Sequence, residues 1–236
     1  MSPTHRPSRI ILGTIAILAL CALAAPVHAE RLPAVDSRPP AQVAAAGASA
    51  GASAATNPIT VVSALQSALL EIMKNADQLG FRGRYDYLQP VVVETFDVPF
   101  MGSKSVGRHW KKLSTDEQAA WLAQFTDYLT SNYAGNFSGW DGESFEVLGE
   151  QPAARDTRVV LTKLVVPGGE DITFNYRLRA DDAGRWRIID IYLRGTVSEL
   201  ALRRSDFSST LKDKGFDQLT VAMDKKIAEL RAKGGG

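Results

Sequence analysis

The sequence has very few of the residues that carry redox and metal chemistry: one cysteine, Cys21, and three histidines among 236 residues. A lone cysteine cannot form an intramolecular disulfide, and three histidines leave little room for a metal cluster. Neither charge is in excess, since 27 lysines and arginines face 26 aspartates and glutamates. Nucleic-acid-binding domains show a strong basic excess, so no nucleic-acid partner is expected. A chain that is 45% hydrophobic and 22% charged is typical of a folded globular domain.

The sequence also lacks the motifs of the common enzyme classes. It contains no Gly-x-Ser-x-Gly elbow and no phosphate-binding glycine loop. Ser209 and Lys212 match Ser-x-x-Lys, but the companion motifs of penicillin-recognising enzymes are missing. His109 has no evident partner to orient it as a general base. We therefore predict no catalytic residue, no metal and no cofactor. An enzyme that uses Asp190 and His109 in a pocket stays open as an alternative.

The start of the chain has the three parts of a secretory signal peptide. Arg6 and Arg9 precede an uncharged apolar run from Ile10 to Ala25, and a small-x-small pattern ends at Ala29. The run of about 16 residues is shorter than the roughly 20 that a spanning helix needs. We predict that residues 1–29 are a signal peptide and that the mature protein is periplasmic.

The apolar run has two alternative interpretations. It could remain as a membrane anchor, or a lipid could be attached to Cys21 near its end. Leu20 precedes this cysteine, however, where lipoprotein processing requires a small residue. Removal of the signal peptide leaves 236 − 29 = 207 residues without cysteine. Residues 30–57 that follow are rich in Ala, Pro, Gly and Ser, and we predict a flexible tether there.

The remaining chain, residues 58–233, is predicted to form one domain that begins and ends with helices. Asn57 and Pro58 are a good cap and first residue for a helix that is stopped by Gly80. A second helical stretch runs to about Phe96, and a short helix follows it. Further helices are expected from the capping box at Ser114 to about residue 137, and over residues 199–214 and 216–232.

Between these helices the apolar period changes to that of strands. Four strands are predicted, over residues 144–149, 157–166, 171–179 and 185–194, joined by Gly-rich turns. The third alternates cleanly, while the fourth is apolar on both faces, so both of its faces must be covered. We predict an α+β fold in which helices cover a four-stranded antiparallel sheet. Periodicity alone cannot tell whether the helices enclose a cavity or a solid core.

A series of short motifs runs along the predicted domain. They are Gly80-Phe81-Arg82-Gly83-Arg84-Tyr85, Phe96-Asp97-Val98-Pro99, Trp110 with Leu113-Ser114, Phe125, Tyr133, Phe145-Glu146-Val147, Asn175-Tyr176-Arg177-Leu178, Trp186-Arg187-Ile188-Ile189-Asp190, Gly195-Thr196-Val197-Ser198-Glu199-Leu200 and Arg203-Arg204-Ser205-Asp206-Phe207. In their order and spacing these motifs resemble the MlaC, or toluene-tolerance, family of periplasmic lipid carriers. The similarity runs from Pro58 to Leu230 and is closest to the hopanoid-associated HpnM branch.

The resemblance implies a non-catalytic carrier of hopanoids or phospholipids between the inner and outer membranes. It implies a curved sheet around an apolar lipid cavity, an inner-membrane transporter complex and an outer-membrane complex as partners, and a monomeric state. A periplasmic adaptor with a filled core is the alternative. From the apolar faces we predict that the cavity is lined by Phe100, Met101, Trp110, Phe125, Leu129, Tyr133, Phe174, Tyr176, Leu178, Trp186, Ile188, Tyr192, Val197 and Leu200. A lipid head group or an acidic partner is predicted to meet the basic cluster, Lys104, Arg108, Lys111 and Lys112.

Overall fold

The computed structural model describes residues 57–234 of the chain. The predicted signal peptide, residues 1–29, lies outside the described residues. So does the predicted tether apart from its last residue, Asn57.

Six α-helices and one short 3₁₀ helix flank the sheet in the described residues. The first helix begins as predicted, because the Asn57 side chain accepts a hydrogen bond from the Ile59 amide at 2.8 Å. The bounds are α1 Pro58–Lys74, α2 Ala76–Thr95, α3 Val98–Val106, the 3₁₀ helix Gly107–Lys112, α4 Thr115–Asn136, α5 Glu199–Lys214 and α6 Phe216–Gly234.

The first helix ends earlier than the apolar pattern predicts. We expected one helix up to Gly80, but α1 stops at Lys74 and α2 starts at Ala76. The Asn75 side chain donates to the Glu71 carbonyl at 3.0 Å, and such a local bond competes with the helical backbone bonds. Gly80 instead forms a kink inside α2, with a φ of 56° that favours glycine.

The sheet has five antiparallel strands, so the prediction of four was wrong. Each strand pairs with the next along the chain. The additional strand is only two residues long, too short to show an alternating pattern in the sequence. The bounds are β1 Ser144–Ala153, β2 Thr157–Val165, β3 Ile172–Ala180, β4 Trp186–Leu193 and β5 Val197–Ser198.

Register shifts bend the sheet, and helices cover it. Pairing shifts between Val147 and Gly149 in β1 and between Arg177 and Leu178 in β3, and such irregularities increase local bending and twist. The helix α1 packs on β1, β2 and β4, whereas α4 packs against α2, α3 and α6. The strand β4 also contacts α2, α3 and α5, which explains why it is apolar on both faces. The observed fold is therefore α+β with a curved antiparallel sheet, as predicted apart from the strand number.

Candidate functional site: an apolar cavity between the sheet and two helices

An apolar cavity of about 70 Å³ lies between α4, the middle of the sheet and α5. Carbon-rich side chains form most of its wall, together with a few polar groups from α4 and α5. The residues that line it are Met101, Phe125, Tyr128, Leu129, Asn132, Tyr133, Asn136, Phe137, Leu164, Phe174, Ile191, Leu193, Glu199, Leu200 and Arg203.

The longest wall of the cavity is one face of α4. Its members follow one another at intervals of three and four, the spacing that places side chains on a single helix face. The capping box at Ser114 sets the start of this helix: the Glu117 amide donates to the serine Oγ, and the serine amide donates to the Glu117 carboxylate at 2.7 Å. The lining members of α4 are Phe125, Tyr128, Leu129, Asn132, Tyr133 and Asn136.

The sheet and α5 form the opposite walls. Leu164, Phe174 and Ile191 come from three adjacent strands and are each less than a tenth exposed. The helix α5 is capped by Ser198, whose hydroxyl accepts a hydrogen bond from the Ala201 amide at 3.0 Å. This cap directs Leu200 toward the same space. The cavity is therefore enclosed by long-range packing of elements far apart in the sequence.

A charged cluster interrupts the apolar wall on α5. Arg203 is 4% exposed, and its Nη2 lies 3.0 Å from Glu199 Oε2. Its Nη1 lies 3.6 Å from Asp206 Oδ2, too far for a hydrogen bond. Burial raises the pKa of both Glu199 and Asp206, while the arginine opposes that rise. The guanidinium also lies 5.9 Å from the ring centroid of Tyr128.

The two residues of the enzyme alternative are not paired in the structure. The Asp190 carboxylate accepts hydrogen bonds from the Ile191 and Leu200 amides and from the Ser198 hydroxyl, at 2.6–3.0 Å. Burial raises the pKa of Asp190 despite these bonds. His109 lies in the 3₁₀ helix and is not among these partners. The geometry thus gives the aspartate a structural role, which joins β4 to the start of α5.

A second opening in the surface is larger and contains more charged groups. This groove of about 530 Å³ lies beside Asp97 and is lined by three arginines and two aspartates among apolar residues. Arg179 Nε donates to the Asp97 carboxylate at 2.7 Å, and that carboxylate also caps α3 by accepting from the Phe100 amide. Because its charged walls are mutually paired, we regard the smaller apolar cavity as the better site for a hydrocarbon chain.

Six of the fourteen predicted lining residues do line the apolar cavity. They come from α3, α4, β3 and α5, and lipid contact at each of them stays a prediction. They are Met101, Phe125, Leu129, Tyr133, Phe174 and Leu200.

The other eight predicted lining residues lie elsewhere. Tyr176, Leu178 and Ile188 are at most 1% exposed and belong to the solid core. Val197 is 43% exposed. The remaining four are partly buried, three of them packed against the core, and are Phe100, Trp110, Trp186 and Tyr192.

The prediction missed nine lining residues, and two kinds of signal could have found several of them. Tyr128, Asn132 and Asn136 continue the helical spacing of the apolar face of α4, but two of them are polar and were passed over. Arg203 stands at an apolar-face position of α5, in step with Phe207 and Leu211, which marks a charge pointing inward. The others are Phe137, Leu164, Ile191, Leu193 and Glu199.

The predicted basic cluster is exposed. Lys104 belongs to the last turn of α3, and Arg108, Lys111 and Lys112 follow in the 3₁₀ helix. Lys104 Nζ lies 5.4 Å from the ring centroid of Phe100. The structure places these four cations close together along the chain, and their role stays a prediction.

Within residues 57–234, no group of three or more His, Cys, Asp or Glu residues is arranged to hold a metal ion. No helix of the same range is long and apolar enough to cross a membrane.

Comparison with known proteins defines the class of this chain. It matches the family described as "MlaC protein" over residues 63–225, that is 225 − 63 + 1 = 163 of its 236 residues. The chain therefore belongs to the MlaC family, as the motifs predicted. Nothing in the comparison bears on the HpnM branch.

A solved structure shares the fold. It is a phospholipid-binding protein from Ralstonia solanacearum in complex with a phospholipid, with a TM-score of 0.65 and 19% sequence identity. The match covers 74% of this chain and 99% of that one.

Proposed function

We propose that this protein is a non-catalytic lipid carrier that holds the apolar chains of a phospholipid between the sheet, α4 and α5. The observation that carries the proposal is the apolar cavity in a chain of the MlaC family. The phospholipid-bound protein of the same fold supports the choice of ligand.

The physical need for such a carrier follows from the cost of exposing lipid tails to water. Transfer from a membrane to water costs about 0.8 kcal/mol per CH₂ group. Two tails of roughly 16 carbons each therefore cost on the order of 25 kcal/mol by the same figure. A carrier removes this cost only if its interior is apolar and largely free of unpaired polar groups.

The cavity must widen before it takes an acyl chain. A cavity of about 150 Å³ in another protein holds a single benzene molecule, and this one has about 70 Å³. The helix α5 is the wall best suited to move, because only Arg203, Phe207 and Leu211 are buried among its sixteen residues. A sharp turn, in which Arg194 and Gly195 both have positive φ, precedes this helix. Outward displacement of α5 would enlarge the cavity while α4 and the sheet stay packed.

The finer parts of the proposal concern ligand, place and partners. A hopanoid is the second candidate ligand, suggested by the resemblance to the HpnM branch. We propose that residues 1–29 direct export to the periplasm. Residues 30–57 then tether one carrier domain at residues 58–233. The monomer shuttles lipid between an inner-membrane transporter complex and an outer-membrane complex.

Native mass spectrometry of the mature chain, purified without detergent, tests the carrier function. We expect a bound lipid in stoichiometric amount, and extraction followed by tandem mass spectrometry identifies it. A phospholipid supports the first ligand and a hopanoid the second. If the purified protein is free of lipid and takes up none from vesicles, the carrier proposal is wrong and the adaptor alternative is favoured.

A further inference from the structure

Two hydrogen-bonding groups at the cavity are buried without a hydrogen bond. Among the described residues, Tyr128 Oη of α4 and Arg203 Nη1 of α5 are such groups. Both side chains line the cavity, are 3% and 4% exposed, and also border a smaller cavity of about 10 Å³ beside α6. A buried polar group without a hydrogen bond destabilises the fold, because it loses its bonds to water and gains none in return. Since the guanidinium lies only 5.9 Å from the tyrosine ring centroid, the two groups point to a ligand atom that pairs with them.

Both groups are hydrogen-bond donors. Burial raises the pKa of Tyr128, so its hydroxyl keeps its proton at neutral pH. Arg203 Nη1 carries N–H groups and has no acceptor capacity. The complementary ligand atom is therefore an acceptor, which in a lipid is an oxygen.

The surrounding charges select an uncharged oxygen. Glu199 and Asp206 already flank the guanidinium, with closest contacts of 3.0 and 3.6 Å. The carboxylate of Asp190 is near enough to raise the pKa of Glu199 further. A phosphate or free carboxylate would add another negative charge to a site where carboxylates already outnumber the arginine. A hydroxyl or an ester carbonyl adds none.

We infer that Tyr128 and Arg203 form a polar anchor that binds an uncharged oxygen, a hydroxyl or an ester carbonyl, on the buried part of the lipid. This inference rests on the proposed carrier function and goes beyond it, since it names a specific polar contact inside the cavity. An ester carbonyl would come from an acyl glycerolipid, and a hydroxyl from a neutral lipid alcohol.

Four probes of equal chain length test the anchor: hexadecane, 1-hexadecanol, methyl hexadecanoate and hexadecanoate. Each competes against a fluorescent lipid bound to the mature protein. We expect the alcohol or the methyl ester to bind about three- to tenfold more tightly than the alkane. This is the gain in affinity that one net hydrogen bond provides. We expect hexadecanoate to gain no such advantage. Preference for the ester indicates an acyl lipid, and preference for the alcohol indicates a neutral alcohol lipid.

The variant Tyr128→Phe removes the hydroxyl and keeps the ring. Because this hydroxyl has no hydrogen bond in the structure, we expect the variant to fold with unchanged or higher stability. In this variant the affinity for the alcohol or the methyl ester should fall toward the affinity for the alkane. Tyr192→Phe, which removes a hydroxyl from a half-buried strand residue outside the cavity lining, should leave the advantage intact.

The outcomes separate the anchor from the carrier function. If all four probes bind equally, or Tyr128→Phe keeps the full advantage, the anchor is wrong while the carrier function stands. If hexadecanoate binds most tightly, the inferred ligand class is wrong. If the fluorescent lipid itself does not bind to the protein, both the anchor and the carrier function are wrong.

Discussion

Arg84 Nε lies 2.9 Å from the carbonyl oxygen of Ala134, so a fully buried guanidinium on α2 holds the last turn of α4. The same group donates to the carbonyl of Ala76 at 3.0 Å and to that of Gly234 at the end of α6. Ala134 and Gly234 lie in the last turns of their helices, where carbonyls lack helical partners and carry partial negative charge that favours a cation. One side chain thus joins three helices behind the cavity wall.

Replacing Arg84 with methionine should destabilise the whole domain. Each buried carbonyl that loses its donor costs about 1–3 kcal/mol, so we expect the free energy of unfolding to fall by about 3–5 kcal/mol. Arg82→Met is the matched control on the same helix. Its side chain is 83% exposed, pairs with Asp86 and lies 5.9 Å from the ring centroid of Tyr85, so a change within about 0.5 kcal/mol is expected. Urea unfolding measures both, and equal effects would contradict the structural role of Arg84.

Stability should rise as the pH falls from neutrality toward about 4, the unfolded pKa of a carboxyl group. Burial raises the pKa of Glu199, Asp190 and Asp206 in the folded state. A group whose pKa is raised by folding binds its proton more tightly in the folded state, so protonation favours folding in this window. The Tyr128 hydroxyl faces the same cluster, but burial raises its pKa further above this range.

The variant Glu199→Gln tests this pH dependence. It should flatten the rise in stability, because one of the three carboxyl groups no longer titrates. Glu229→Gln, at an exposed position of α6, should leave the slope unchanged. Urea unfolding at pH 7, 6 and 5 gives the slopes. The same slope in Glu199→Gln as in the unaltered protein would contradict the assignment.

A larger side chain in the cavity should block lipid uptake. Leu200 lines the cavity, whereas Leu202 on the same helix is 36% exposed and does not. We expect Leu200→Trp to lower the lipid bound per protein at least about tenfold, equivalent to roughly 1.4 kcal/mol. Leu202→Trp should retain normal binding. Native mass spectrometry compares the two, and undiminished lipid in Leu200→Trp would place the chains elsewhere.

Neutralising the basic cluster should weaken association with acidic surfaces. Exposed cations speed and strengthen such encounters, and salt screens the effect. With Lys104, Arg108, Lys111 and Lys112 all changed to alanine, we expect about tenfold slower lipid transfer from anionic vesicles at low salt. The difference should vanish at about 1 M salt, where screening acts within roughly 3 Å.

A matched control removes the same charge elsewhere. Arg155, Lys212, Lys214 and Lys225 are exposed cations in other parts of the domain, and their replacement by alanine should have a smaller effect. Equal losses in both quadruple variants would mean that net charge, not the position of the cluster, governs transfer.

Local patterns predicted much of the fold because they depend on near neighbours. The capping box at Ser114 and the cap at Ser198 place the starts of α4 and α5 where the structure has them. Alternation in β3 predicted the inward side chains, and Phe174, Tyr176 and Leu178 are buried as expected. The end of α1 was missed because the side-chain bond of Asn75 to Glu71 interrupts a helix whose apolar spacing continues.

The candidate site was harder to predict. Helical spacing identified Phe125, Leu129 and Tyr133 as inward-facing, and they line the cavity. The apolar faces of β3 and β4 selected Tyr176 and Ile188 in the same way, but these two residues are fully packed. Spacing shows which face turns inward, but it does not show whether another side chain fills the space in front of that face.

The sequence by itself determined the starts of α1, α4, α5 and α6, the antiparallel meander and the family, since each depends on short-range order along the chain. Tertiary structure alone decided that Tyr128 of α4 and Arg203 of α5 line the same cavity, and that the core behind β3 and β4 is solid. The physical reason is that empty volume belongs to the gap between elements: it depends on how far apart their packed faces come to rest, a distance that no single segment encodes.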